Sequence, residues 1–306
     1  MTDGNYMIPE IQKICFIGAG TQGCINSLIC SAYGYTSTLY DISEEILNQV
    51  PQRQQAMGIV MVKQGYLDKN TFGQALSRIS TTADLNIAVE DADLLNESID
   101  ENLELKREVH KKLDILCPTK TILTSNTSSL LVSELEDVVK RGDRFAALHF
   151  NGTNRFIDLV GGPRTSSETI QILTTFIKGL NIRPVFLKKE KDGYLGNSLF
   201  ISFLTTALLL VVNGHGDLED VDRTWMMIHN TQEGPFGQMD IVGLNVVFDI
   251  IREQANRSRI SKEQFNKISD FLRPFIEQKK LGVKTGSGFY SYPRPVYRSP
   301  DFLMAE

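Results

Sequence analysis

An apolar strand that runs directly into three closely spaced glycines constrains the fold of this chain more than any other feature. Residues 13–23 read Lys-Ile-Cys-Phe-Ile-Gly-Ala-Gly-Thr-Gln-Gly, a Gly-x-Gly-x-x-Gly motif after a short hydrophobic run. In such a motif Gly18 allows a tight turn, Gly20 lets a pyrophosphate approach the backbone, and Gly23 allows close helix–strand packing. Free N–H groups and the dipole at the helix start favour phosphate charge. The sequence therefore predicts a dinucleotide site that comprises Gly18, Gly20, Thr21, Gln22 and Gly23.

Asp41 strengthens this interpretation because it ends the next predicted strand, 18 residues after Gly23. Its carboxylate can accept hydrogen bonds from the adenosine ribose hydroxyls, and its charge would repel a 2′-phosphate. The following Ile42 and Ser43 supply no arginine to attract one. These features favour NAD over NADP as the cofactor. The structural alternative is a glycine turn beside a capping aspartate.

Short apolar runs alternate with helical stretches through the first two-thirds of the chain, a pattern typical of a parallel sheet covered by helices. Long helices are predicted over Glu44–Gln64, despite Pro51 and Gly58, and over Glu101–Leu116. The predicted strands are Ile14–Gly18, Ser37–Tyr40, Leu94–Glu97, Thr121–Thr124, Ala146–Phe150 and Pro184–Leu187. The expected fold class is α/β, with an N-terminal Rossmann-type doubly wound sheet followed by a smaller all-helical domain.

The domain boundary is predicted at the charged, glycine-ended stretch of residues 188–193. We assign residues 1–190 to an NAD-binding domain and residues 191–306 to a helical domain that can close the site from the far side. Residues 194–281 show helical periodicity and no convincing strand. The apolar stretch 199–212 is interrupted by Ser202 and two threonines, and it is too short for a confident membrane span. We interpret it as a buried helix, and the apolar surplus of this domain favours an oligomer interface.

Composition narrows the classes of partner. The net charge of −5 over 306 residues argues against a nucleic-acid binder, which usually presents a basic surface. The four cysteines show neither a CxxC motif nor metal-ligand spacing, so we expect no metal site, and a reduced cytoplasmic setting fits them best. The first 12 residues resemble neither a signal nor a transit peptide. A small-molecule substrate is expected, with no nucleic acid and no membrane as partner.

Four polar residues are candidates for chemistry: Ser128, His149, Asp158 and Asn197. Ser128 follows one predicted strand and His149 ends another, so both are expected at the edge of the sheet where ligands bind. A neutral histidine can accept a proton near pH 7, and a carboxylate on its other nitrogen would fix its tautomer. Asp158 is the only acidic residue between Arg144 and Ser167. Ser128 and Asn197 can instead be caps of the helices that follow.

At this point the chain resembles the 3-hydroxyacyl-CoA dehydrogenase family, nearly from end to end. The matching segments are residues 17–23 (IGAGTQG), 97–102 (ESIDEN), 125–129 (SNTSS), 144–150 (RFAALHF), 192–197 (DGYLGN), 234–237 (GPFG) and 284–290 (KTGSGFY). The resemblance implies that His149 is the general base for the 3-hydroxyl proton and that Ser128 and Asn197 hydrogen-bond the reacting oxygen. It also implies that Glu101, Lys106, Ser128 and Lys284 join the glycine loop and Asp41 around NAD. A homodimer and a place in fatty acid metabolism are implied as well.

The chain departs from the family at the acid that partners the histidine. The family has a glutamate there, whereas the alignment on residues 161–166 places Asp158 at that position, after a loop three residues shorter than usual. Aspartate is one methylene shorter, so the hydrogen bond to His149 is lost unless the short loop compensates. The family's serine and lysine contacts to the CoA nucleotide fall near Met57 and Gln64, with Lys63 and Arg53 close by.

The resulting hypothesis is an NAD-dependent 3-hydroxyacyl-CoA dehydrogenase for short chains. It oxidises the 3-hydroxyl by hydride transfer with His149 as general base, and its substrate is an acyl-CoA thioester. Two alternatives stay open. One is an NAD-dependent dehydrogenase of a free 3-hydroxy acid, and the other is an NAD-binding protein whose altered histidine–acid pair has lost catalysis.

Overall fold

The chain divides into two compact units, Met1–Leu195 and Gly196–Glu306. The structure is a computed structural model and describes residues 11–151 and 156–304, so the predicted loop after Phe150 lies largely outside the described residues. The division falls five residues after the predicted boundary at residue 190. The reason lies in Tyr194, which is buried in the first unit and donates a hydrogen bond to the Thr127 carbonyl oxygen at 2.9 Å.

The first unit is built on one eight-stranded sheet, which confirms the Rossmann-type fold. Its strands are β1 (Lys13–Ile17), β2 (Thr36–Tyr40), β3 (Ile79–Thr82), β4 (Leu94–Glu97), β5 (Ile122–Ser125), β6 (Phe145–Phe150), β7 (Phe156–Gly161) and β8 (Arg183–Leu187). Their spatial order is β3-β2-β1-β4-β5-β6-β7-β8, and all neighbours are parallel except β6 and β7. The carboxyl ends of the first six strands therefore meet at one edge of the sheet.

Two strands were not predicted from the sequence. β3 reads Ile-Ser-Thr-Thr, with a single apolar residue, because it lies at the edge of the sheet and is partly exposed. β7 carries Asp158 inside an otherwise apolar run, and it pairs antiparallel with β6. β7 and β8 therefore run opposite to the first six strands of the sheet.

In the described part of this unit, the helices that flank the sheet are α1 (Thr21–Ala32), α2 (Glu44–Lys63), α3 (Lys69–Leu76), α4 (Leu85–Val89), α5 (Leu103–Leu116), α6 (Val132–Glu136) and α7 (Ser167–Gly179). α2 confirms the predicted helix and contains Pro51, while the Ser43 hydroxyl caps it by accepting the Ile46 N–H. α5 starts two residues later than predicted because the Asn102 side chain caps it. Glu101 therefore precedes the helix, and its carboxylate is available to the loop opposite.

The sheet has an apolar layer on each face. Along β1, Ile14 and Phe16 pack into one core cluster with α1, α2 and α7, whereas Cys15 and Ile17 pack into the other with α5. This alternation is what a strand with helices on both sides requires. It holds the strand ends in fixed positions relative to one another, which is the basis of the site.

The second unit is helical, as predicted, with α8 (Tyr194–Val212), α9 (Leu218–His229), α10 (Pro235–Val242), α11 (Leu244–Asn256) and α12 (Lys262–Glu277). Its core cluster includes Phe236, Met239 and Leu272. The expectation that residues 199–212 form a buried helix was wrong for the single chain, because only 22% of the apolar window of α8 is buried and Leu199 is 74% exposed. By length and composition alone α8 is long enough to cross a membrane, a test that core helices of soluble proteins also pass.

Candidate active site

The glycine loop joins β1 to α1 with the geometry that the motif predicts. Gly18 has φ +101°, and a Cβ at Gly23 would lie 1.9 Å from the Gly18 carbonyl oxygen, so neither position accommodates a side chain. A Cβ at Gly20 would meet no atom within 4 Å. The loop is therefore closed on its protein side and open above Gly20, where the exposed Thr21 and Gln22 begin α1. This space suits the phosphates of a dinucleotide.

Asp41 lies directly beyond β2 and braces the glycine loop. Its Oδ2 accepts the Ala19 N–H at 3.0 Å, and its Oδ1 accepts the Ser43 N–H at 3.0 Å. A carboxylate has about four acceptor positions, so both oxygens can still accept ribose hydroxyls. Arg53 approaches from α2, with Nη1 3.4 Å from the Ala19 carbonyl oxygen. The sequence placed Arg53 only near the family's CoA contacts, so its position beside the glycine loop was not predicted.

Beneath the site, a buried charge network surrounds Glu97 at the end of β4. Its Oε1 lies 2.6 Å from the Lys106 ammonium, and its Oε2 accepts the Ser125 hydroxyl at 2.7 Å and lies 3.3 Å from His110 Nε2. Burial alone raises the pKa of Glu97, but the His110 hydrogen bond and the Lys106 charge outweigh it and lower the pKa to about 2. Glu97 is therefore ionised throughout the physiological range.

Glu101 connects this network to the turn that carries Ser128. Its Oε2 lies 3.3 Å from Lys106 Nζ, and its Oε1 accepts the Ser128 and Ser129 N–H groups at 2.9 and 3.0 Å. The Thr127 hydroxyl donates to the same oxygen at 2.5 Å. Despite partial burial, these donors and the Lys106 charge lower the pKa of Glu101. The turn is thus fixed by a carboxylate, and among the described residues the Ser128 hydroxyl has no protein partner.

Lys106 contacts the acidic residues next to the Ser128 turn. Its ammonium is 1% exposed and has three acceptors, which are Glu97, Glu101 and the Ile99 carbonyl oxygen. These contacts fix the Glu101 carboxylate and through it the Ser128 turn. The geometry indicates that Lys106 positions Glu101 and the Ser128 turn. A direct contact between Lys106 and the cofactor stays a prediction.

His149 and Asp158 form a hydrogen-bonded pair across β6 and β7. The two residues are directly opposite in the antiparallel register, and His149 Nδ1 lies 3.1 Å from Asp158 Oδ2. Opposite Cα atoms of such a pair are only about 4.5–5.5 Å apart, so the short aspartate side chain spans the gap. The bond that the shorter acid put in doubt is therefore present.

Two further residues contact this pair. Asn151 Nδ2 donates to Asp158 Oδ2 at 2.9 Å, and the Tyr194 ring lies 5.5 Å from the His149 ring, centroid to centroid. Burial, followed by the charges of nearby carboxylates such as Glu101, raises the pKa of Tyr194, so its hydroxyl stays neutral near pH 7. Since Asp158 occupies Nδ1, Nε2 is the nitrogen of His149 that can exchange a proton with a substrate.

The predicted residues divide between the two units. The first unit brings together the glycine loop, Asp41, Glu101, Ser128 and the His149–Asp158 pair at the carboxyl edge of the sheet. Asn197 lies in the first turns of α8 and is half-buried. Lys284 lies in a short 3₁₀ helix, where its ammonium donates to Asn245 Oδ1 at 2.6 Å. Both belong to the second unit, and their roles at the active site stay predictions.

The sequence patterns did not identify Glu97, His110, Asn151 or Tyr194 as residues of the site. A signal for the Glu97 network was present: Lys106 and His110 are four residues apart and lie on one face of α5 together with the buried Leu113. A lysine and a histidine on the buried face of a helix require acceptors, and Glu97 ends the adjacent strand. No such signal existed for Arg53, because its position depends on how α2 packs.

Comparisons with known proteins agree with this arrangement. The chain matches the sequence profile of the 3-hydroxyacyl-CoA dehydrogenase NAD-binding domain over residues 13–190 and that of the family's C-terminal domain over residues 193–292. It is 32% identical over 290 residues to the mitochondrial hydroxyacyl-coenzyme A dehydrogenase of Sus scrofa, covering 92% of this chain and 91% of the relative. It is 27% identical over 286 residues to a probable 3-hydroxybutyryl-CoA dehydrogenase of Bacillus subtilis, covering 92% and 98%.

A solved structure described as a diketoreductase that acts on dicarbonyl compounds superposes with a TM-score of 0.84 at 35% identity, covering 92% of this chain and 99% of the other. The family profiles together span most of the chain, and the sheet edge carries the glycine loop, the acidic residue after β2 and the histidine–acid pair. The chain therefore belongs to the 3-hydroxyacyl-CoA dehydrogenase family and is an NAD-dependent dehydrogenase.

Proposed function

We propose that this protein oxidises a short-chain 3-hydroxyacyl-CoA to the 3-oxoacyl-CoA, with His149 as the general base. The observation that supports this most is the His149–Asp158 pair, in which Nδ1 is bound at 3.1 Å and Nε2 is left to accept a proton. Bound NAD supplies the acceptor for the hydride that leaves C3. The 3-hydroxyl proton passes to His149 Nε2, and Asp158 stabilises the imidazolium that forms.

The surrounding residues orient the substrate in this proposal. Glu101 accepts the Ser128 N–H and so fixes the turn that carries Ser128. The Ser128 hydroxyl would donate a hydrogen bond to the reacting oxygen. Asn197 would donate a second, and Lys284 would contribute to the cofactor site. The fit to NAD is supported by the open space above Gly20 and by the acceptor capacity of Asp41.

A free dicarbonyl compound or free 3-hydroxy acid is the second candidate substrate, because two observations favour it. The exposed side of α2 presents Ile59 and Val60, which are 54% and 51% exposed, near the places where the family resemblance puts CoA contacts. The solved structure at 35% identity carries the name diketoreductase, without reference to CoA. An α2 surface of this kind offers a nucleotide few charged partners besides Lys63.

We also propose a homodimer formed through the second unit and a reducing, cytoplasmic location. Exposed apolar side chains on this unit support the dimer, among them Leu199 at 74%, Ile228 at 70% and Met227 at 62% exposure. All four cysteines are free and buried, which agrees with a reducing compartment. No nucleic acid or membrane partner is part of the proposal.

Oxidation of NADH by the purified protein, with acetoacetyl-CoA and with free acetoacetate, tests the substrate. We expect turnover of the thioester, while consumption of acetoacetate alone would select the second candidate. We expect His149→Ala to lower kcat by about 100-fold or more, the range for a general base, with NADH binding unchanged. His215→Ala, at an exposed histidine of the second unit, is the matched control. Near-normal turnover of His149→Ala would refute the assignment of the base.

A further inference from the structure

Asn151 makes a contact with the catalytic pair that the proposed mechanism does not yet use. Its amide nitrogen donates to Asp158 Oδ2 at 2.9 Å, the same oxygen that lies 3.1 Å from His149 Nδ1. The other oxygen, Oδ1, is buried and has no partner among the described residues. Asp158 itself is only 2% exposed. Within residues 11–151 and 156–304, the carboxylate charge is therefore stabilised by two donors on one oxygen.

The sequence places Asn151 where it can do this. It follows His149 by two residues and comes directly after Phe150, the last residue of β6. In an extended chain, residues two apart point to the same side, so Asn151 and His149 both face Asp158 on the neighbouring strand. Phe150 between them points away and is buried in the core on the other side. The contact is thus a consequence of strand geometry at the end of β6.

A buried carboxylate beside a neutral imidazole is an unfavourable arrangement unless other donors stabilise its charge. With only one donor, the free energy of the site is lowered when the imidazole takes up a proton and becomes a full cation. A histidine that stays protonated cannot act as a base. A neutral second donor removes this bias, because it stabilises the carboxylate without a positive charge.

We propose that Asn151 is a positioning residue that keeps His149 available as a base by donating to Asp158. The inference rests on the proposed function of His149 as general base. Asn151 does this through Asp158, and it holds the carboxylate oriented toward β6 at the same time. In this chain the amide completes a three-residue arrangement of His149, Asp158 and Asn151.

The other groups that face His149 do not change this expectation. In the described part of the chain, the titratable groups in contact with it are Asp158 from β7 and Tyr194 at the start of α8. Burial and neighbouring carboxylates raise the pKa of Tyr194, so it stays uncharged over the range in which a histidine titrates. If the Asn151 side-chain amide is removed and the titration of His149 changes, the change therefore reflects the altered hydrogen bonding of Asp158.

Titration of the imidazole by NMR tests the proposal without any requirement for turnover. The protein has four histidines, so a sample labelled at the imidazole carbons gives few signals, and His149→Gln identifies the one of interest. We expect Asn151→Leu, which keeps the volume and removes the donor, to raise the midpoint of His149 by roughly 0.5 pH unit or more. Asn151→Ala should give the same direction, and Asn86→Ala, at an exposed asparagine of α4, is the control.

The pH dependence of kcat/KM gives a second measurement. The acidic limb should move upward in Asn151→Leu by the same amount, so that the activity lost on that limb is recovered at higher pH. A purely structural contact would change the unfolding midpoint but leave the His149 titration in place. A midpoint that is unchanged or lower in both Asn151 variants would overturn the inference. A raised midpoint in a protein that turns over no substrate would keep the inference and reject the proposed function.

Discussion

Replacement of Lys106 by methionine tests the buried charge network that fixes the Ser128 turn. The Lys106 ammonium is 1% exposed and lies 2.6 Å from Glu97 Oε1 and 3.3 Å from Glu101 Oε2. Methionine has a similar length and no charge, so the substitution preserves most of the packing. Glu97, with no exposed side-chain surface, then keeps His110 as its remaining basic partner in the described chain.

Two routes give the magnitude. Removal of one partner of a buried ion pair costs about 3–5 kcal/mol, because the other charge stays buried. Burial raises the pKa of Glu97, but His110 and Lys106 together lower it from 4.5 to about 2. At about 1.4 kcal/mol for each tenfold change in acidity, the net effect of all these groups favours the ionised form by about 3 kcal/mol, which is the same order as the cost of breaking the ion pair. We expect Lys106→Met to lower the free energy of unfolding at pH 7 by about 3 kcal/mol.

The same substitution predicts a dependence on pH. Since the pKa of Glu97 is lower in the folded than in the unfolded protein, its contribution is complete above about pH 4.5 and is lost as the pH falls toward 2. In Lys106→Met, protonation of Glu97 relieves the unpaired charge. The difference in stability between the variant and the wild type should therefore narrow as the pH falls through this range.

Urea unfolding followed by circular dichroism, at pH 7 and at several values down to about pH 3, measures both effects. Lys111→Met is the matched control, because Lys111 is exposed on the same helix and its loss should cost less than about 0.5 kcal/mol. Glu97→Gln combined with Lys106→Met should recover part of the loss, since neither partner is then charged. Equal costs for Lys106→Met and Lys111→Met, or a cost that does not change with pH, would refute the reasoning.

Two further predictions concern the cofactor site. Gly20→Ala should fold with wild-type stability but weaken NADH binding by about tenfold or more, because its methyl group enters the open space above the loop. Gly23→Ala should lower the melting temperature instead, since its Cβ would lie 1.9 Å from the Gly18 carbonyl oxygen. Fluorescence titration with NADH and thermal melts distinguish the two variants. Equal changes in NADH affinity and melting temperature for both variants would contradict the reasoning. Asp41→Ser should reduce the preference for NAD over NADP by about tenfold, because it removes the repelling carboxylate and leaves Arg53 beside the loop. Steady-state kinetics with both cofactors measures that ratio, and an unchanged ratio would argue against a role for Asp41.

The parts of the fold that were predictable from the sequence are those in which local pattern and tertiary environment agree. β1 is an apolar run that is buried on both faces, β4 is buried throughout, and the glycine motif predicted the start of α1. β3 was not predicted because an edge strand needs few apolar residues. The exposure of α8 could not be predicted. An apolar helix has the same sequence pattern whether it packs against its own chain or against another molecule.

In the candidate site too, some features follow from local sequence and others depend on how the strands pair. Its polar residues were identifiable because each follows a strand, but the contacts among them depend on strand register, which no single segment encodes. Asp158 illustrates this. The sequence shows a shorter acidic side chain after a shorter loop than in the family, and these two features predict that the hydrogen bond to His149 is lost. In the sheet, β7 returns antiparallel and places Asp158 directly opposite His149, so the side chain spans one interstrand gap.

A longer side chain at position 158 would then be the poorer fit in this sheet. With the backbone of β7 fixed opposite β6, the extra methylene of glutamate would carry its carboxylate about 1.5 Å further than the 3.1 Å contact needs. It would also displace the oxygen that Asn151 reaches at 2.9 Å. The short loop, the aspartate and the asparagine two residues after the histidine are therefore mutually consistent. This consistency favours a working catalytic pair, because the aspartate and the asparagine both contribute to the contacts that hold His149.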